Sequence, residues 1–149
     1  MTPMTLPRLL SAYPLVTTGQ LQACRDFYLR HFAFGVLFEA SWFVLLSRAA
    51  GEGTVALAFM SPDHPSRPPG PETFNGQGLL LTLQTDDAAG EAVRLQAAGV
   101  SISHPLSREP WGQLRFQVRD PAGLVLDIVE QVEPEAGFWD RYGVAQGIS

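Results

Sequence analysis

The chain has 149 residues, 46% hydrophobic and 17% charged, enough for one globular domain or two small modules sharing a core, and unlike a disordered segment. Fifteen acidic against ten basic residues give a formal net charge of -5. That charge repels phosphate backbones, and with no Lys/Arg run to offset it locally, nucleic acid is not an expected partner.

The opening stretch MTPMTLPRLLSAYPLV is interrupted by Pro3, Pro7 and Pro14 and lacks the unbroken apolar core of a secretory signal. No later stretch approaches the length of a membrane span, so no membrane association is expected. The single cysteine, Cys24, can form neither an intramolecular disulfide nor a thiolate metal cage and suits a reducing compartment. The expectation is a soluble, cytoplasmic protein.

AYPLVTT (12–18) reads as a strand, and QLQACRDFYLRHF (20–32) as a helix with Leu21, Cys24, Phe27, Tyr28 and Phe32 on one face, ended by Gly35. Cys24 on that face is a packing residue. Three strands follow, VLFEA (36–40), WFVLLS (42–47) and TVALAFM (54–60), with turn residues in AAGEG. Residues 61–78 hold five prolines and three glycines and read as an irregular linker over the surface.

Past the linker the same order returns. LLLTLQT (79–85) is a strand and DAAGEAVRLQAAG (87–99) a helix with Ala88, Ala92 and Leu95 on one face and Gly99 at its end. VSIS (100–103), QLRFQVR (113–119) and LVLDIVEQ (124–131) are strands, the last two joined by the DPAG turn. The chain is a weak internal repeat of strand, helix and three strands.

This order, with RDFYLRHFAFGV, LQTDDAAGEAVRLQAAGVSI and PWGQLRFQVRDPAGLVLDIVE, resembles the glyoxalase/bleomycin-resistance/dioxygenase superfamily, also called the vicinal oxygen chelate fold, over roughly residues 11–131. The resemblance implies an α+β fold in which two βαβββ modules, 11–60 and 79–131, form a cupped mixed sheet enclosing a cavity, all within one domain that ends in a tail, 132–149. It also implies a homodimer, the habit of many members. Metal-dependent members hold a divalent ion in the cavity with His, Gln and Glu side chains.

Strand alternation identifies the residues that would line the cup. In the last strand Leu124, Leu126 and Ile128 cover the helix, leaving Val125, Asp127 and Val129 on the other face; in QLRFQVR, Gln113, Arg115 and Gln117 share that face. Asp127 stands four residues after the glycine of DPAG, where metal-dependent relatives carry their last carboxylate ligand. The other ligand positions of the family fall on Tyr13, a rare ligand, on Leu80, which has no donor, and within TVALAFM, which contains no His, Glu, Asp or Gln. A divalent ion needs three or more converging N or O donors, so no metal or other cofactor is expected. His31, His64 and His104 read as surface or boundary residues.

Without an ion, what remains is a pocket for a small, partly apolar molecule, with Tyr13, Thr82, Gln84, Arg115 and Asp127 offering hydrogen bonds and Trp42, Phe59 and Trp111 apolar area. Alternation is equally compatible with Trp42 and Phe59 in the core and with Trp111 capping the rim. Arg115 and Asp127 also suit a neutralising ion pair across adjacent strands with no ligand. If unpaired, Asp127 is a candidate acid or base, because desolvation favours its neutral form. The cluster Phe138, Trp139 and Tyr142 is expected to dock on the body or on a partner subunit.

Three functional readings follow. The leading one is a metal-free small-molecule binding protein similar to the bleomycin-resistance branch. The alternatives are a metal-dependent lyase, isomerase or dioxygenase with an altered site using Asp127, and an interaction module with an unused fold.

Overall fold

The computed structural model describes residues 4–143 and resolves two compact units, Met1–Phe74 and Asn75–Ser149. The first contains β1 (Leu15–Thr17), α1 (Leu21–Phe32), β2 (Gly35–Ala40), β3 (Phe43–Ala50) and β4 (Gly53–Met60), in a four-stranded sheet ordered β1-β4-β3-β2. The second contains β5 (Leu80–Gln84), α2 (Ala88–Ala97), β6 (Ile102–Glu109), β7 (Gln113–Arg119) and β8 (Val125–Gln131), ordered β5-β8-β7-β6. In each sheet the first strand pairs parallel with the last and the remaining pairs are antiparallel. The architecture is α+β with two mixed four-stranded sheets, and the sequence repeat is a repeat of topology.

In the first unit the helical face predicted for α1 is the one that packs: Cys24, Tyr28 and Phe32 are buried. They cover the sheet face carrying Val16, Val44, Leu46, Leu57 and Phe59, all buried. The helix stops before Gly35. Ala33 adopts the left-handed conformation, because the next residue, Phe34, turns back into the core with its ring 5.4 Å from Tyr28. β1 is shorter than expected: its paired residues begin at Leu15, Pro14 O still accepts from Ala58 N–H of β4 at 3.0 Å, and Tyr13 lies ahead of the strand. β3 starts at Phe43 rather than Trp42, which lies in the β2–β3 turn, and runs on through Ala50, so that Gly51 and Glu52 alone make the next turn. Residues 61–78 carry no helix or strand, yet His64 is buried and Phe74 N–H donates to Thr17 O at 2.9 Å.

In the second unit Asp87 caps α2, accepting from Gly90 N–H at 2.9 Å. The helix closes at Gly99 with paired bonds from Gly99 N–H to Gln96 O and from Val100 N–H to Leu95 O. Leu95 and Ala88 are fully buried beneath α2, together with Phe116, Val118, Leu126 and Ile128 of the sheet.

The strand expected at 100–103 instead spans Ile102–Glu109. Pro105 cannot donate to a ladder, but β6 is an edge strand and Pro105 falls in the irregular stretch between the His104 and Ser107 pairings. In the DPAG turn Asp120 Oδ1 accepts from Ala122 and Leu124 N–H at 2.9 and 3.0 Å. Of the alternatives for the C-terminal aromatics, docking on the body is observed: Phe138, Trp139 and Tyr142 gather around a 3-10 turn, Phe138–Arg141, and pack on the chain's own β6–β7 turn through Trp111.

Candidate functional site

The two faces of the second sheet are told apart by what touches α2. Glu130 Oε1 accepts from Ala88 N–H at the start of the helix, so the even-numbered side chains of β8 lie on the α2 side. Val125, Asp127, Val129 and Gln131 therefore lie on the far side, and the ladder carries that face across the whole sheet. Thr82 on β5 is opposite Asp127, Asp127 is opposite Gln117 on β7, and Gln117 is opposite His104 on β6. Residues paired in register share a face, so these four form one polar row across four strands. Beside it run Gln84, Val129, Arg115 and Ser107.

Asp127 is the centre of this face and is only 8% exposed. Gln117 Nε2 donates to its Oδ1 at 3.0 Å and Arg115 Nη1 donates to the same oxygen at 3.3 Å. Among the described residues no hydrogen bond reaches Oδ2. The guanidinium also sits near a second carboxylate, with Nε 3.4 Å from Glu109 Oε1, too poorly aligned for a hydrogen bond. Its third neighbour is the indole of Trp111, with Cζ 5.4 Å from the ring centroid. One cation thus lies between two anions and against an aromatic ring, which leaves the cluster with one net negative charge.

Of the residues expected to line a pocket, Thr82, Gln84, Arg115 and Asp127 share this face, and Trp111 borders it from the β6–β7 turn. Thr82 and Gln84 are exposed, and Gln84 Oε1 accepts from Gln131 Nε2 at 3.1 Å. Arg115 and Asp127 do form an ion pair, 3.3 Å apart, so the condition attached to Asp127 as an acid or base, that it stand unpaired, is not met. The remaining three belong to the first unit. Tyr13 is 44% exposed ahead of β1; Trp42 is half-buried, its ring 5.8 Å from that of Phe43. Phe59 is fully buried on the α1 side, 5.5 Å from the ring of Tyr28, a place in the core rather than on a ligand-bearing face.

Two members of the polar row were not among the candidates. Gln117 was legible from alternation alone. His104 was not, because a one-residue irregularity at Ser103 flips the strand's facing just before it.

The family-derived metal positions do not fit a divalent ion. Leu80, opposite Val125, has no lone pair, and Asp127 already has a guanidinium 3.3 Å from its Oδ1, the reverse of what a cation site presents. Among the described residues no three His, Cys, Asp or Glu side chains gather as a ligand set.

Comparison with known proteins agrees with this architecture. The family model described as Glyoxalase/Bleomycin resistance protein/Dioxygenase superfamily matches residues 10–128. A solved glyoxalase/bleomycin resistance protein/dioxygenase from Nocardioides is similar at 18% identity and a TM-score of 0.69, over 97% of this chain and 92% of that one. A lactoylglutathione lyase from Agrobacterium tumefaciens is 21% identical with a TM-score of 0.63, over 83% and 95% of the two chains. An antibiotic-binding protein from a Streptomyces species is 24% identical with a TM-score of 0.58, over 87% and 99%. No curated protein matches the chain.

Proposed function

Taking as premise that the chain belongs to the glyoxalase/bleomycin resistance protein/dioxygenase superfamily, we propose that it binds a small, partly apolar molecule without a metal ion, using the polar face of its second unit. The observation that carries this reading is Asp127, a carboxylate fixed through one oxygen by Arg115 and Gln117 while the other takes no hydrogen bond from the described chain. A carboxylate held this way is pre-organised to accept one directed hydrogen bond from a ligand N–H or O–H. Thr82, Gln84 and His104 extend the same wall with further polar groups. The net negative charge of the Arg115, Asp127 and Glu109 cluster favours neutral or cationic ligands over anionic ones.

A small-molecule binding role is in keeping with the antibiotic-binding relative, and the mismatched donor set supports a metal-free site. A cytoplasmic homodimer is taken over from the habit of the family.

Metal analysis of protein purified without chelators, repeated on Asp127→Asn, tests the proposal. The expected result is no stoichiometric Zn, Ni, Fe or Mn in either protein, with aromatic ligands that raise the wild-type melting temperature failing to raise that of the variant. A ligand at one hundred times its Kd stabilises by about 2.7 kcal/mol, a shift of several degrees in a protein of this size. Stoichiometric metal present in the wild type and lost in Asp127→Asn would overturn the reading in favour of a metal-dependent lyase, isomerase or dioxygenase.

A further inference from the structure

The Arg115 guanidinium is placed by a series of contacts that begins well past the last strand. Beyond β8 the chain returns along the β6–β7 turn: Val132 N–H donates to Gly112 O and Glu135 N–H to Pro110 O, both at 2.9 Å. The approach is close enough that a Cβ on Gly112, whose φ is +108°, would lie 2.8 Å from Val132 O. Trp139 Nε1 then donates to Trp111 O at 3.0 Å, and the ring of Phe138 stands 6.4 Å from that of Trp111. Phe138, Trp139 and Tyr142 also pack on one another, with centroids 5.1 to 6.0 Å apart.

Trp111 is therefore held from several sides, since its own Nε1 donates to Gln113 Oε1 at 2.8 Å. Its ring carries Arg115, and Arg115 carries Asp127. An arginine has several rotatable bonds and adopts one direction only where its surroundings impose it. The Trp111 ring lies at cation–π distance from Arg115 and so is placed to position that guanidinium.

We infer that Phe138 and Trp139 are positioning residues for the binding face: by holding Trp111 they hold Arg115 against Asp127 Oδ1. That a ligand meets this pair rests on the function proposed above; the positioning itself does not.

The test uses the full-length chain, labelled with 15N, and follows the side-chain Nε–H signal of Arg115. In the wild type the Trp111 ring current displaces this signal from those of the other arginines. In the double variant Phe138→Ala, Trp139→Ala the displacement is expected to collapse toward that of Trp111→Ala, and in Trp139→Phe, which keeps a ring but loses the donor, to fall part of the way. An unchanged Arg115 signal in the double variant overturns the inference; if that variant loses its amide dispersion, an unchanged signal in Trp139→Phe overturns it instead.

Benzamidine, an aromatic N–H donor, and benzoate, its charge-reversed counterpart, are the ligand probes. Benzamidine is expected to bind the double variant about tenfold more weakly than the wild type, the size a desolvated cation–π contact supports. Collapse of the Arg115 signal with no benzamidine binding to the wild type upholds the positioning and overturns the reading of the face.

Discussion

The two units run the same five elements in the same order, and their sheets differ most where neither is covered by its helix. In the first, Leu15, Ala58, Leu45 and Phe38 are paired across the four strands on the face opposite Phe59 and α1. In the second, Thr82, Asp127, Gln117 and His104 are paired across the equivalent strands. One row is wholly apolar and the other wholly polar, on the same backbone topology. Backbone pairing is indifferent to which side chain sits at a ladder position, so topology is retained while the outward row changes chemistry. What distinguishes the second unit is a set of mutually satisfied groups, Arg115, Gln117 and Asp127, that must be present together.

The contrast breaks hardest if the central residue of the polar row is moved into the apolar one. Ala58 has no exposed surface, and neither Leu15 nor Leu45, its neighbours across the ladder, can pair with a charge. Ala58→Asp is expected to destabilise the protein by about 4 kcal/mol or more, measured by chemical denaturation, because it buries an uncompensated carboxylate. A loss below about 1 kcal/mol would mean that the first unit tolerates the polar row and that the difference between the faces is incidental.

Most of the architecture was legible because periodicity reports it directly. The α1 stripe of Cys24, Tyr28 and Phe32 and the alternation of Phe116 and Val118 with Arg115 and Gln117 are burial patterns, and the observed sheets bury them as read. The misread boundaries lie in the strands: β6, read as 100–103, runs from Ile102 to Glu109 because an edge position lets it pass Pro105, whereas α1 ends at Phe32 as read. The site was legible only in part. Alternation placed Asp127 and Arg115 on one face, but whether they pair depends on a diagonal between neighbouring strands, and a sequence does not give that register. Phe59 shows the converse limit, since alternation defines two faces without saying which one the helix takes.

Conversion in the opposite direction has a smaller effect. Asp127→Leu alone leaves the Arg115 guanidinium facing an apolar group, and should cost about 2 kcal/mol, short of the penalty for a fully buried charge because the Arg115 side chain is 21% exposed. Adding Arg115→Met together with Glu109→Gln, so that the second carboxylate beside the guanidinium is not left without its cation, removes all three charges and should return stability to within about 1 kcal/mol of the wild type. Equal losses in the single and the combined variant, by the same denaturation measurement, would show that Asp127 is not energetically coupled to this cluster and that the polar row is a coincidence of register.

The smallest effect on stability, and the most selective for function, is expected at the edge of the row. Thr82 is exposed and opposite Asp127 on a parallel strand, so Thr82→Val keeps the branched shape that suits a strand and removes only the hydroxyl. Stability should change by less than about 0.5 kcal/mol, as for an exposed site free of special contacts. Binding of any ligand that bridges Asp127 and Thr82 should still weaken several-fold, because one hydrogen bond contributes about 1 kcal/mol. A ligand found by melting-temperature shift and then titrated against both proteins decides the matter. If Thr82→Val binds it as tightly as the wild type, while Asp127→Asn does not, recognition is confined to Asp127 and its two donors rather than spread along the row.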